Sequence, residues 1–244
     1  MPSKSPSEFR VDVPSHSTTT AVVYSADAAV KDQPRPLLIL AHGAGAGQRS
    51  PFIVNFARAL AALGVDVVTF NFLYTQQRRR MPDRAPILEA CYRAVIAAAA
   101  ERVDSAGERL FIGGKSMGGR IATQVSAADR GLPVAGIVLL GYPLHPPGRP
   151  HQRRDAHLPS VTRPMLFAQG SRDAFGTPAE LEPILAAAGI EATIHVVKGG
   201  DHSFKLAGGS DALQAAVFDD VQRTIAEWIS TVTSRSVPAR PRSA

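Results

Sequence analysis

The chain has 244 residues, 45% hydrophobic and 20% charged, with 27 Lys and Arg against 21 Asp and Glu for a formal charge of +6. That composition excludes a disordered polymer and suits one sizeable core. No apolar run is long enough to span a bilayer, residues 1–20 carry no apolar signal segment, and the single cysteine, Cys91, excludes an internal disulfide, so the expected setting is the cytoplasm with no membrane partner.

Residues 1–8 are expected to form a flexible lead-in, residues 9–234 a single domain and residues 235–244 a flexible basic tail. Phe9–Val13 alternates in polarity and Thr20–Tyr24 is strand-like, which predicts an antiparallel hairpin followed by a polar turn region at Ser25–Arg35. Pro36–Ala41 is a continuous apolar run, the pattern of a central strand covered on both faces. It runs into His42-Gly43-Ala44-Gly45-Ala46-Gly47, a loop whose amides can approach a ligand closely. Dinucleotide-binding spacing from Gly43 requires glycine at position 48, where Gln48 stands, so that motif fails. Ser50 is a natural N-cap and Pro51 a natural first helical residue; the helix presents Ile53, Phe56, Leu60 and Leu63 on one face and stops at Gly64.

Val65–Phe70 reads as another strand and Asn71–Arg84 as a basic irregular loop. Pro86 opens a helix through Ala100 with Leu88, Cys91, Tyr92, Val95 and Ala99 inward, which makes Cys91 a core residue. Leu110-Phe111-Ile112 ends a buried strand, and a helix follows to about Asp129. Val134–Leu140 is the next apolar strand. Tyr142–Arg163 is rich in Pro, His and Arg and has no long amphipathic segment to make a lid. Pro164–Ala168 is a strand, Pro178–Ala188 a helix with Gly189 as its stop, Ala192–Val197 the last strand and Leu213 to about Thr231 the closing helix. Strands alternating with helices predict a doubly wound, mostly parallel sheet.

Between the Ile112 strand and its helix lies Gly114-Lys115-Ser116-Met117-Gly118, a G-x-S-x-G match. A strand turning sharply into a helix strains the residue at the apex, and small residues on either side let the chains pass. The turn holds the Ser116 hydroxyl clear of the sheet at a helix N-terminus. A phosphate-binding P-loop requires a further glycine where Arg109 stands, so that alternative is poor. Asp173 follows a later strand and His202 the last one, so the order is Ser, Asp, His, and all three lie at carboxyl ends of strands. A serine hydroxyl needs a base in hydrogen-bond reach, imidazole supplies it near neutral pH, and a carboxylate fixes the imidazole tautomer. The expected oxyanion donors are the N–H groups of Met117 and Ala44. Asp201 adjoins its own histidine and is badly placed to reach the ring, so it reads as a turn former or a competing acid. His42 precedes Ser116 and reads as an organiser of the glycine loop.

His42-Gly43-Ala44-Gly45, Gly113–Arg120, Gly170-Ser171-Arg172-Asp173 and Gly200–Phe204 resemble the dienelactone-hydrolase-like branch of the α/β hydrolases, and within it the testis-expressed and histone-acetyltransferase-complex-subunit (Tex/KANL) hydrolase-like proteins. The resemblance implies an α/β-hydrolase fold with helices on both faces of the sheet and minimal or no lid. It implies Ser116 as nucleophile, Asp173 as acid and His202 as base, with neither metal nor other cofactor. Dienelactone hydrolases proper use a cysteine where Ser116 stands, so their substrate does not carry over. The expected activity is hydrolysis of a small or partly exposed acyl substrate through an acyl-enzyme. The rival is a non-catalytic binding or scaffold protein, since some relatives are parts of assemblies.

Lys115 reads most simply as a solvated side chain; the sharper expectation is that it draws an anionic substrate to the mouth, helped by Arg120 or Arg172, with His42 as a further substrate-binding candidate. The remaining arginines, Arg78-Arg79-Arg80, Arg149, Arg153-Arg154, Arg235, Arg240 and Arg242, fall in expected loops and ends without interleaved aromatics, so no nucleic-acid partner is expected.

Overall fold

A computed structural model describes residues 5–26, 35–106 and 109–235. Most of the expected Ser25–Arg35 turn and the expected tail beyond Arg235 lie outside the described residues, as do residues 1–4. Among the described residues, eight strands form one sheet: β1 (Ser7–Asp12), β2 (Thr18–Tyr24), β3 (Leu37–Ala41), β4 (Asp66–Phe70), β5 (Leu110–Lys115), β6 (Gly136–Leu140), β7 (Met165–Gly170) and β8 (Ala192–Val197). Their spatial order is β1-β2-β4-β3-β5-β6-β7-β8. The β1–β2 and β2–β4 pairs are antiparallel, and every pairing from β4 through β3 to β8 is parallel. Among the described residues, the α-helices are α1 (Pro51–Ala62), α2 (Leu73–Gln76), α3 (Ala85–Arg102), α4 (Met117–Ala128), α5 (Pro178–Ala187) and α6 (Asp211–Arg235).

The unbroken apolar run of β3 is explained by the two cores. Leu37, Ile39 and Ala41 point to one side, where α3 and α4 pack with Tyr92, Val95, Ile121 and Val125. Leu38 and Leu40 point to the other, where α1 and α6 pack with Phe56, Leu60, Ile225 and Ile229. Alternate residues of a strand face opposite sides, so a strand covered twice has no polar face to keep. The sheet therefore carries helices on both faces, and the only helical turn within Tyr142–Arg163 is a short 3₁₀ segment at Leu158–Ser160.

Several expected details are corrected. Ser7 and Glu8 are not part of a flexible lead-in; they pair with Val23 and Val22. Arg235 ends α6 and pairs with Glu191 at 3.2 Å, so it is not part of a flexible tail. Leu63 does not join the inward face of α1: the helix ends at Ala62, and Leu63 turns out with 44% of its surface exposed. The Asn71–Arg84 stretch is not wholly irregular. Phe72, Leu73 and Tyr74 are buried, and the Asp83 carboxylate accepts the Tyr74 N–H at 3.0 Å at the start of α2.

Tyr92, fully buried on α3, reaches the middle of the sheet. Its hydroxyl donates to the Gly113 carbonyl at 2.6 Å and accepts the Gly113 N–H at 2.9 Å. Replacing it by Phe removes the hydroxyl and leaves buried backbone groups short of a partner. Tyr92→Phe is expected to lower stability by about 1–3 kcal/mol, read as a shift in the urea midpoint; an unchanged midpoint contradicts this role.

Candidate active site

Ser116 is the residue between β5 and α4, with φ 52° and ψ −116°, a conformation L side chains rarely adopt. The turn is held from both sides: Ser116 N–H donates to Leu140 O at 3.0 Å and Ser116 O accepts Arg120 N–H at 3.1 Å. The flanking glycines are required by contact. A Cβ on Gly118 would stand 2.7 Å from the carbonyl oxygens of both Ala41 and His42, and one on Gly114 would stand 2.5 Å from Ala41 O. The start of α4 thus rests directly on the end of β3, which brings the glycine loop beside Ser116.

His202 follows β8 on a loop that passes over two bare backbones. A Cβ on Gly170 would lie 2.4 Å from Asp201 O, and one on Gly141 would lie 2.8 Å from His202 O. The imidazole Nε2 is 2.9 Å from Ser116 Oγ. Its Nδ1 is 2.8 Å from Asp173 Oδ2 and 3.0 Å from Oδ1. A carboxylate opposite Nδ1 makes that nitrogen the protonated one, leaving Nε2 to accept from the serine hydroxyl. Phe175 stacks on the ring at 4.2 Å between centroids. The Asp173 carboxylate is fully buried, accepts the Phe175 N–H at 2.8 Å and accepts Gln169 Nε2–H at 2.9 Å. Asp201 has the turn-forming role: its Oδ1 accepts the N–H groups of Ser203 and Lys205 at 2.7 and 2.9 Å.

Met117 and Ala44 both line the cavity beside Ser116, and among the described residues neither N–H donates to a protein acceptor. His42 organises its loop and does not line that cavity. It is wholly buried, its Nδ1–H donates to Gly43 O at 2.8 Å and its Nε2 accepts the Phe72 N–H at 3.2 Å. Burial pushes the ring down to about 4, so it is neutral at pH 7. The expectation that His42 binds substrate is therefore corrected.

Lys115 is not the solvated side chain expected. It is 9% exposed, and its Nζ donates to His202 O at 2.6 Å with the Phe52 ring 5.9 Å away. Burial holds its ammonium down at about 8, against the attraction of Asp173 and Asp201. Arg172 is exposed and lies outside the cavity, and its backbone N–H donates to Gly200 O at 2.9 Å. Arg120 is half-buried and lines the cavity.

The cavity measures about 940 Å³ and its walls are largely apolar, with Phe52, Met117, Phe175 and Phe218 around Ser116 and His202. Sequence reasoning missed Phe175, Gln169 and Arg154. Gln169 had a signal, a polar residue ending an apolar strand; Arg154 sits in a connection without periodicity and had none. Among the described residues, no group of three or more His, Cys, Asp or Glu side chains is arranged to hold a metal ion, and no helix is long and apolar enough to cross a membrane.

Residues 34–230 match the model of a family described as an alpha/beta hydrolase domain. Among solved structures, the chain is similar to a lidless serine hydrolase from Xanthomonas campestris, with TM-score 0.70, 19% identity and 97% of each chain covered. It is similar to a putative dienelactone hydrolase from Klebsiella pneumoniae, with TM-score 0.70, 20% identity and coverage of 93% of this chain and 99% of that one. A serine hydrolase homologue from Coxiella burnetii gives TM-score 0.71 at 16% identity, covering 91% and 96%. At these identities the structural likeness is one of fold; the match over residues 34–230 reaches further, and with it the chain belongs to the α/β-hydrolase family.

Proposed function

We propose that this chain is a serine hydrolase that cleaves an acyl ester through an acyl-enzyme, with Ser116 as nucleophile, His202 as general base and acid, and Asp173 orienting the imidazole. The observation that carries the reading is the unbroken hydrogen-bonded line from the Asp173 carboxylate through His202 to Ser116 Oγ, facing a largely apolar cavity. Family membership supports hydrolysis as the reaction class.

The steps follow from these positions. Ser116 Oγ bonds to the substrate carbonyl carbon while its proton passes to His202 Nε2. The carbonyl oxygen becomes an oxyanion facing the N–H groups of Met117 and Ala44, the first of which also has the positive end of α4 behind it. The bond to the leaving alcohol breaks and His202 returns the proton to it. Water then repeats the sequence on the acyl-enzyme, releasing the acid and restoring Ser116. Lys115 anchors the histidine loop by its backbone and is a positioning residue in this scheme.

A fluorophosphonate probe tests the assignment. Wild type is expected to label covalently, and Ser116→Ala and His202→Ala to lose labelling and ester turnover by at least about a thousandfold. Folded wild type that neither labels nor turns over esters favours a binding module instead.

Lys115 gives a separate prediction on stability. Its folded pKa of about 8 lies below the ordinary 10.5, so the unfolded chain holds this proton more tightly between those values. Stability from this group therefore rises with pH across that window. Urea midpoints compared at about pH 7.5 and about pH 10 are expected to lose this increment in Lys115→Met. The same variant is expected to lower kcat on the order of tenfold with a smaller change in KM, since the histidine loop loses its anchor; wild-type kcat in that variant removes the positioning role.

A further inference from the structure

The cavity is electrically one-sided. Its lining includes Lys115, Arg120, Arg154 and Lys205, against the single carboxylate of Asp83. Asp83 is already engaged by Arg79 at 2.6 Å and by the Tyr74 N–H at 3.0 Å. Among the described residues, none of the four cavity cations has a carboxylate oxygen within 4.0 Å. Lys115 is turned to His202 O, and Lys205 stands exposed at the rim. The two guanidiniums differ from these. Arg120 and Arg154 are half-buried, come from α4 and from the β6–β7 connection, and face the same cavity. The Arg120 side chain has one weak partner, Gln124 Oε1 at 3.4 Å.

Two half-buried cations near each other repel and lose hydration, and among the described residues neither has a carboxylate oxygen within 4.0 Å to offset that cost. The Arg120 guanidinium is held below its ordinary value first by burial and then by the charge of Arg154, ahead of the attraction of Tyr142 and Glu89. An oxyanion between them would relieve both costs, and the planar guanidinium fork is suited to carboxylate or phosphate oxygens. The position fits a substrate group. Arg120 N–H bonds to Ser116 O, so Arg120 stands four residues, about 6 Å along the axis of α4, from the seryl residue.

Resting on the hydrolase reading, we propose that Arg120 and Arg154 form an anion subsite, and that the substrates are esters carrying a carboxylate or phosphate group a short distance from the scissile carbonyl. The apolar walls take the intervening carbons, and the guanidinium pair takes the charge. This replaces the expected Lys115–Arg120–Arg172 arrangement: Arg172 lies outside the cavity, and Lys115 is occupied by the histidine loop.

Matched p-nitrophenyl esters test it: butyrate as the neutral member, the monoesters of succinate and glutarate, and a phosphonopropanoate ester. Acetates of phenol and of hydroxybenzoate place the charge on the leaving side. The anionic-to-neutral ratio of kcat/KM is expected to fall on the order of tenfold or more in Arg120→Gln and in Arg154→Gln. Arg154→Lys, which keeps the charge without the fork, is expected to recover part of the ratio. Rising salt is expected to shrink the wild-type ratio. Turnover of all esters with an unaltered ratio in both Gln variants overturns the subsite and leaves the hydrolase standing. Calorimetry on Ser116→Ala with glutarate and with inorganic phosphate reads the subsite without turnover. Binding weakened by Arg154→Gln supports it and tells carboxylate from phosphate, and no binding of either anion overturns it. Wild type that binds glutarate but never labels with fluorophosphonate refutes the hydrolase reading instead.

Discussion

The backbone of Ser116 is the constraint on which the site depends. A φ of 52° in a non-glycine residue costs on the order of 1–3 kcal/mol, a sizeable part of a domain's typical net stability of about 5–15 kcal/mol. The strain persists because its surroundings overdetermine it. The N–H is taken by β6, the carbonyl starts α4, and Gly114 and Gly118 let β3, β5 and α4 meet at distances that a side chain would forbid. Two cores covering the sheet from either side supply the rigidity that keeps the apex from relaxing.

The histidine loop solves a different problem, since its positive-φ residues, Gly199 and Phe204, lie on either side of His202 and not at it. Its placement comes from contact with Gly141 and Gly170 and from the Lys115 ammonium on His202 O. The residue that precedes Ser116 thereby holds the loop of its hydrogen-bond partner, and the two halves of the site share one anchor. On the acidic side, Gln169 ties the Asp173 carboxylate to the Tyr142 and Gly176 carbonyls as well, at 3.3 and 2.6 Å, so the carboxylate is fixed from β7 outward.

Charge is distributed unevenly over the molecule. Surface arginines such as Arg49, Arg79 and Arg153 pair with Glu8, Asp83 and Asp155. Arg78 and Arg80 are exposed, as solvated residues are expected to be. Among the described residues, the cations around the cavity have no such partners, and its apolar walls lower the local dielectric so that their field reaches further than it would at the surface.

Much was legible in the sequence because it was local. The β3 run of Leu37–Ala41 announces a strand with two covered faces, since no residue in it could tolerate water. Gly114 and Gly118 around Ser116 announce the sharp turn, since only such spacing lets a strand double into a helix. The order Ser116, Asp173, His202 at strand ends narrows the candidates, since a parallel sheet gathers those ends on one edge. Tertiary structure alone decided the rest. Whether Lys115 faces water or the His202 loop depends on how β5 lies beside a segment 87 residues away. Arg172 and Arg154 are indistinguishable as letters; one stands exposed outside the cavity and the other is carried into it by an aperiodic connection. Periodicity and spacing report on a residue's own element, whereas the direction of a side chain across an interface is set by what packs against it.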